Sequence, residues 1–220
     1  MISSSQRSRG RWLLMAAATA LAGIVGVALL VIAMSETSSQ PGRHSAAQDM
    51  NGNPIQFDPG TMPDEAEVER MQVEEDGGLR LRVPSVDLDV PLGSLASVDG
   101  EITPPGFTSA YYVRNRGVTP DGGGDGTLVV VTHSLREPGV APGNFLIDVK
   151  EQIATLPTDS IVMIGDTSYA VRDSYPIART EVADDSRVWN NAPGRLVLIT
   201  CLQTGSSPAV ANIVIEASLI

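Results

Sequence analysis

The chain has 220 residues and a formal net charge of −11, a length that suits one compact domain with appendages. So acidic a chain lacks the basic patches that phosphate binding needs, which excludes nucleic acid as a partner. It has one cysteine, Cys201, so neither an intrachain disulfide nor a structural zinc site of several cysteines can form.

In chain order, a basic tail (1–11) carrying Arg7, Arg9 and Arg11 comes first. Residues 12–34, WLLMAAATALAGIVGVALLVIAM, follow as 23 residues without a charge; about 20 apolar helical residues span a bilayer core. Arginines before the run predict a single-pass signal anchor in the cell membrane, N-terminus cytoplasmic and the remainder extracellular. A cleaved signal peptide, cut at Ala33-Met34-Ser35, is the alternative, although the run is long for a signal core. Residues 35–78 are polar and rich in Pro, Gly and acids, and read as a flexible acidic stalk. Within it DEAEVERMQVEE (64–75) reads as a solvated face, a short helix being the alternative.

From Leu79 the texture becomes that of an all-β barrel or sandwich, short β-rich runs alternating with turn residues, and residues 79–220 form the domain. LRLRVPSVDLDVPLG (79–93) alternates with period two, broken at Pro84 and Pro91. TLVVVTH (127–133) and RLVLITC (195–201) are continuous apolar runs, the pattern of strands buried on both faces. SIVMIG (160–165) and SYAVRD (168–173) predict a hairpin around Asp166-Thr167. NIVIEASLI (212–220) is the last strand. GVTPDGGGDG (117–126) lacks the lysine of a phosphate loop and reads as a surface turn. KEQIATLPTD (150–159) is predicted to hold one helical turn. Trp189, in SRVWNN, reads as packing, and GVAPG (139–143) as a shaping loop.

The domain has one cysteine and one histidine; the other histidine, His44, lies in the stalk. His133 and Cys201 each stand at the C-terminal end of an apolar strand. Two adjacent strands ending at one rim would bring them together. A histidine beside a cysteine can stabilise the thiolate and then protonate a leaving amine, the minimum for nucleophilic acyl transfer. The bland alternatives are a buried apolar cysteine and a hydrogen-bonded histidine.

Val197-Leu198-Ile199-Thr200-Cys201 resembles the sortase signature TLxTC. VVVTHS resembles the strand and histidine that precede it, and LRLRVPSVDLDVPLG the family's opening strands. The likeness runs in order over 79–220, and is nearest to the actinobacterial sortases of classes E and F, F above all. It implies an eight-stranded β-barrel with short helices and the site at one rim. It also implies a cysteine transpeptidase of Gram-positive cell surfaces. The thiolate of Cys201 would attack the threonyl carbonyl of an LPxTG-like sorting signal. An amine of a peptidoglycan precursor or a pilin would resolve the acyl-enzyme. By position His133 would be the general acid, and Thr200 would hold substrate or its backbone. No cofactor and no metal are implied.

Sortases carry an arginine on the last strand, and the sequence departs from them there. Nothing between Leu202 and Ile220 is an arginine or a lysine. Asn212 takes that place in one register and Val210 in another; an asparagine amide can donate to an oxyanion but lacks the charge and fork of guanidinium. Arg195 is six residues before Cys201, about 20 Å away. Arg136 is the nearest replacement in a loop, and Gln203 a neutral one. The loop 202–211 would border the substrate groove. Two alternatives therefore stand beside the transpeptidase: a degenerate sortase kept as a binding or scaffolding module, and a cysteine hydrolase.

Overall fold

A computed structural model describes residues 47–55, 62–204 and 208–220. The basic tail, the expected membrane helix, His44 and the start of the expected stalk lie outside these residues. Among those described, no helix is long and apolar enough to cross a membrane.

Eight strands close a barrel: β1 (Glu74–Val83), β2 (Leu88–Leu95), β3 (Ala110–Val113), β4 (Thr127–Thr132), β7 (Ile161–Ile164), β8 (Thr167–Ala178), β9 (Arg195–Leu202) and β10 (Ala211–Leu219), in the order β1-β2-β3-β4-β9-β10-β8-β7. Two neighbouring pairs, β2–β3 and β4–β9, are parallel; the others are antiparallel. The continuous apolar runs of β4 and β9 follow from burial on both faces. Leu128 and Val130 of β4, with Leu196 and Leu198 of β9, point into the barrel. The alternate residues Val129, Val131, Val197 and Ile199 point outward into a second core. That second core is covered by α1 (Glu65–Met71) and α2 (Ser186–Trp189), through Met71, Val188 and Trp189. Period-two alternation puts successive side chains on opposite faces, so a strand covered on both sides must be apolar throughout.

The folded unit begins well ahead of the expected boundary at residue 79. Asp64 caps α1 by accepting from Glu67 N at 2.7 Å, and Glu65 and Glu67 in the first turn suit the positive helix end. Met71 is 0% exposed, so the acidic run is a helix with an apolar face rather than only a solvated one. Earlier still, residues 47–55 fold back on the barrel. Met50 packs against the interior core, and its N–H donates to Val140 O at 2.8 Å.

The hairpin of β7 and β8 forms, but its turn is one residue earlier than expected: Ile164 pairs with Thr167 across Gly165-Asp166. Gly165 takes φ +57, the left-handed value that such a two-residue turn needs at its first position. The helical turn expected in 150–159 is absent. β5 (Ile147–Asp148) and β6 (Ile153–Ala154) make a small hairpin there. Asp148 Oδ1 accepts from Lys150 N and Glu151 N at 2.9 and 3.0 Å, a local bond that competes with helix.

Candidate active site

The last pair of the β4–β9 ladder is Thr132 with Thr200, so His133 and Cys201 are each the next residue on adjacent parallel strands. Ser134 Oγ donates to Cys201 O at 2.6 Å and holds the two strand ends together. On the other side Cys201 pairs with Asn212 of β10, and Asn212 with Ile177 of β8. Val131, Ile199 and Ile177 all face the outer core. Two residues further along their strands, His133, Cys201 and Arg179 therefore face the same side. The row at the barrel rim is His133, Cys201 and Asn212, with Arg179 beyond Ile177.

Arg179 stands at this rim and was missed in the sequence reading. Its backbone continues the β8–β10 ladder, donating to Val210 O at 3.0 Å, and its Nη1 reaches Ala209 O at 3.4 Å. It lines both the cavity of about 670 Å³ that holds Cys201 and the cavity of about 520 Å³ that holds His133. The signal was the period-two run from Tyr175 to Arg179, broken by Pro176. A proline suits this stretch because β7 pairs only with Thr167 to Ala170 of β8, leaving residues 174–178 paired with β10 alone.

His133 is 8% exposed. Its ring stacks on Phe107, centroids 4.4 Å apart and planes at 16°. Its Nε2 lies 2.6 Å from Pro104 O; a carbonyl can only accept, so Nε2 carries the proton. Burial pushes the imidazole down to about 4, the Pro104 carbonyl opposing and the Arg179 charge adding to the fall. Burial pushes the Cys201 thiol up, with Arg179 pulling it down. At neutral pH the resting pair is therefore thiol and neutral imidazole.

The other candidates are placed as follows. Asn212 lines the cysteine cavity. Arg136 lines the histidine cavity and not the cysteine one, so it does not stand where an oxyanion at Cys201 would form. Gln203 has its amide committed, Nε2 donating to Ser134 O at 2.7 Å and to Ser134 Oγ at 3.1 Å; it braces the two strand ends. Thr200 is buried and its Oγ1 has no hydrogen-bond partner. Gly143, of the GVAPG run, packs against it, and Gly143 N donates to His133 O at 2.7 Å. Arg195 is at the far end of β9, paired with Glu216 at 3.0 Å. Trp189 both packs, donating from Nε1 to Val182 O at 2.6 Å, and lines the cysteine cavity. Among the described residues no group of three His, Cys, Asp or Glu is placed to hold a metal.

No protein-family model matches the chain, and no curated protein matches it. Solved structures similar to it include sortase A of Listeria monocytogenes (19% identity, 64% of this chain and 86% of that one, TM-score 0.47). A lid mutant of sortase A from Corynebacterium diphtheriae is similar at 14% identity over 70% of this chain and 75% of that one, TM-score 0.48. A pilus-related sortase C of Group B Streptococcus is similar at 15% identity over 80% and 79%, TM-score 0.47.

Proposed function

We propose that the chain is a sortase-type cysteine transpeptidase of the class F/E pattern, anchored in the membrane with its barrel outside the cell. The observation that carries this is the row at the rim: Cys201 and His133 at the ends of paired strands, with Arg179 lining both of the cavities they open into. Asn212, beside Cys201, is a neutral neighbour and not the principal charge.

Cys201 Sγ attacks the threonyl carbonyl of an LPxTG-like peptide while His133 takes the thiol proton. The negative charge on the carbonyl oxygen develops beside Arg179, whose positive charge stabilises it. The C–N bond breaks, His133 returns its proton to the leaving amine, and a thioester remains on Cys201. An incoming amine attacks the thioester and gives its proton to His133; the C–S bond breaks as the new amide forms, and His133 returns the proton to the departing sulfur. Because the imidazolium is disfavoured by burial and by Arg179, it forms only as the tetrahedral oxyanion forms to balance it.

The test is incubation of the full chain in detergent with an LPxTG peptide and excess amine, followed by mass spectrometry. A thioester on Cys201 and an amine-exchanged peptide are expected, both lost in Cys201→Ala. A truncation at residue 79 is a poor substitute, because it removes Met71 from the core. Absence of adduct and product across sorting-motif variants would leave the non-catalytic module as the reading. Adduct followed only by hydrolysis would leave the hydrolase.

A further inference from the structure

His133 is held by a short segment that belongs to no strand, residues 103–107 with the sequence TPPGF. Two of its members touch the imidazole. Pro104 O lies 2.6 Å from Nε2, and the Phe107 ring lies stacked on the imidazole. Covalent structure aims the Pro104 carbonyl. The ring of Pro104 fixes its own φ, and Pro105 after it confines its ψ to extended values. A carbonyl so confined loses little freedom on accepting a hydrogen bond.

The segment is also fastened beyond the imidazole. A Cβ on Gly106 would lie 2.3 Å from Tyr111 Oη, so only glycine allows this approach. Tyr111 is fully buried, and its Oη donates to Glu75 Oε2 at 2.5 Å. Its backbone pairs with Val131 of β4. The same antiparallel register, carried on by two residues, sets Ser109 opposite His133. The segment is thus tied to the strand that bears the imidazole.

Resting on the transpeptidase reading, we infer that Pro104 and Phe107 are positioning residues that fix His133 as a single tautomer, with the proton on Nε2, and so make Nδ1 the nitrogen that takes the Cys201 proton. A ring nitrogen that already carries a proton cannot accept another. With Nε2 donating to Pro104 O, only Nδ1 is free to do so. Phe107 holds the plane of the imidazole, and the carbonyl holds its rotation within that plane. A half-turn about Cβ–Cγ would put a ring carbon against Pro104 O and lose the bond. Once Nδ1 takes the thiol proton, Nε2–H belongs to a cation, and its bond to the carbonyl strengthens. The proton then passes from Nδ1 to the leaving amine, while Nε2–H stays in place throughout.

His44→Gln leaves His133 as the only histidine in the chain. Nitrogen-15 NMR of that full chain in detergent at neutral pH reads which ring nitrogen is protonated. The rate of thioester formation with an LPxTG peptide is measured beside it. A single tautomer with Nε2 protonated is expected. Phe107→Leu keeps apolar bulk without the stacked plane, and Pro105→Gly frees ψ of Pro104. Each is expected to bring in the second tautomer and to slow thioester formation about three- to tenfold, the worth of one aromatic pair or one hydrogen bond. The donor KM moves less than about twofold in Phe107→Leu, since Phe107 lines the cavity at His133 and not the one at Cys201. Phe107→Tyr keeps the plane and stays near the wild type in both readouts. The spectrum without these changes decides the tautomer whether or not a variant folds. Thioester formation with the proton found on Nδ1, or with Phe107→Leu and Pro105→Gly unchanged in tautomer and rate, overturns the positioning role alone. No thioester on the unsubstituted site overturns it together with the transpeptidase reading beneath it.

Discussion

Neutralising Arg179 is the sharpest perturbation of this site. Arg179→Gln removes a charge that both Cys201 and His133 feel while keeping a donor amide. Loss of one donor at a developing oxyanion costs about 100- to 1000-fold in rate, and that is the expected fall in kcat/KM. Stability moves little. Arg179 is exposed, and its side chain makes one long bond, to Ala209 O at 3.4 Å, so the change stays within about 0.5 kcal/mol. The pH profile carries a second signature. Arg179 lowers both the imidazole and the thiol, so its removal raises both, and both limbs of the kcat/KM profile move to higher pH. The acid limb starts near 4 in the wild type and the alkaline limb above the ordinary thiol value of 9.0. Arg179→Lys keeps a point charge without the planar fork and falls between. The assay is kcat/KM from pH 4 upward with thermal unfolding of each variant. A fall of less than about threefold with both limbs unmoved would refute the assignment.

Three further perturbations bear on the scaffold beneath the site. His133 is held below its ordinary value of 6.5, at about 4. Between those pH values the unfolded chain binds the proton that the folded one refuses. Stability is therefore full above 6.5 and falls by about 3 kcal/mol as pH drops toward 4; His133→Gln, measured by urea unfolding against pH, should flatten that slope. Thr200→Ala removes a buried hydroxyl that has no partner, so the lost methyl is offset and the net change stays within about 1 kcal/mol; a tenfold loss of activity with an intact fold would show that substrate uses the hydroxyl. Gly143→Ala places a Cβ 1.9 Å from Thr200 Oγ1 and 2.6 Å from His133 O, and overpacking of this kind costs about 1–3 kcal/mol. The double variant with Thr200→Ala should recover part of that cost in a double-mutant cycle, while the His133 carbonyl keeps it from full recovery.

Much of the barrel was legible from local pattern. The runs around β4 and β9 announced themselves because two-sided burial demands apolar residues along most of each strand. His133 and Cys201 were legible because each ends such a run. The helix α1 was harder to see, since its apolar face is little more than Val68 and Met71 among acids. The small hairpin of β5 and β6 was misread because an aspartate turn, not periodicity, decides its backbone. The extent of β8 was lost at Pro176, and Arg179 with it.

The sequence by itself determined that a thiol and an imidazole end two buried strands, since strand burial is written in consecutive residues. It also determined that no cation follows Cys201 on the last strand. Only the tertiary structure decided that a cation reaches the site from β8. Strand neighbours are set by barrel closure, and β8 and β10 are paired across more than thirty residues of intervening chain. The same closure decided that Ile102 to Pro104, from a loop distant in sequence from both residues, line the cavity at Cys201 and the cavity at His133 alike.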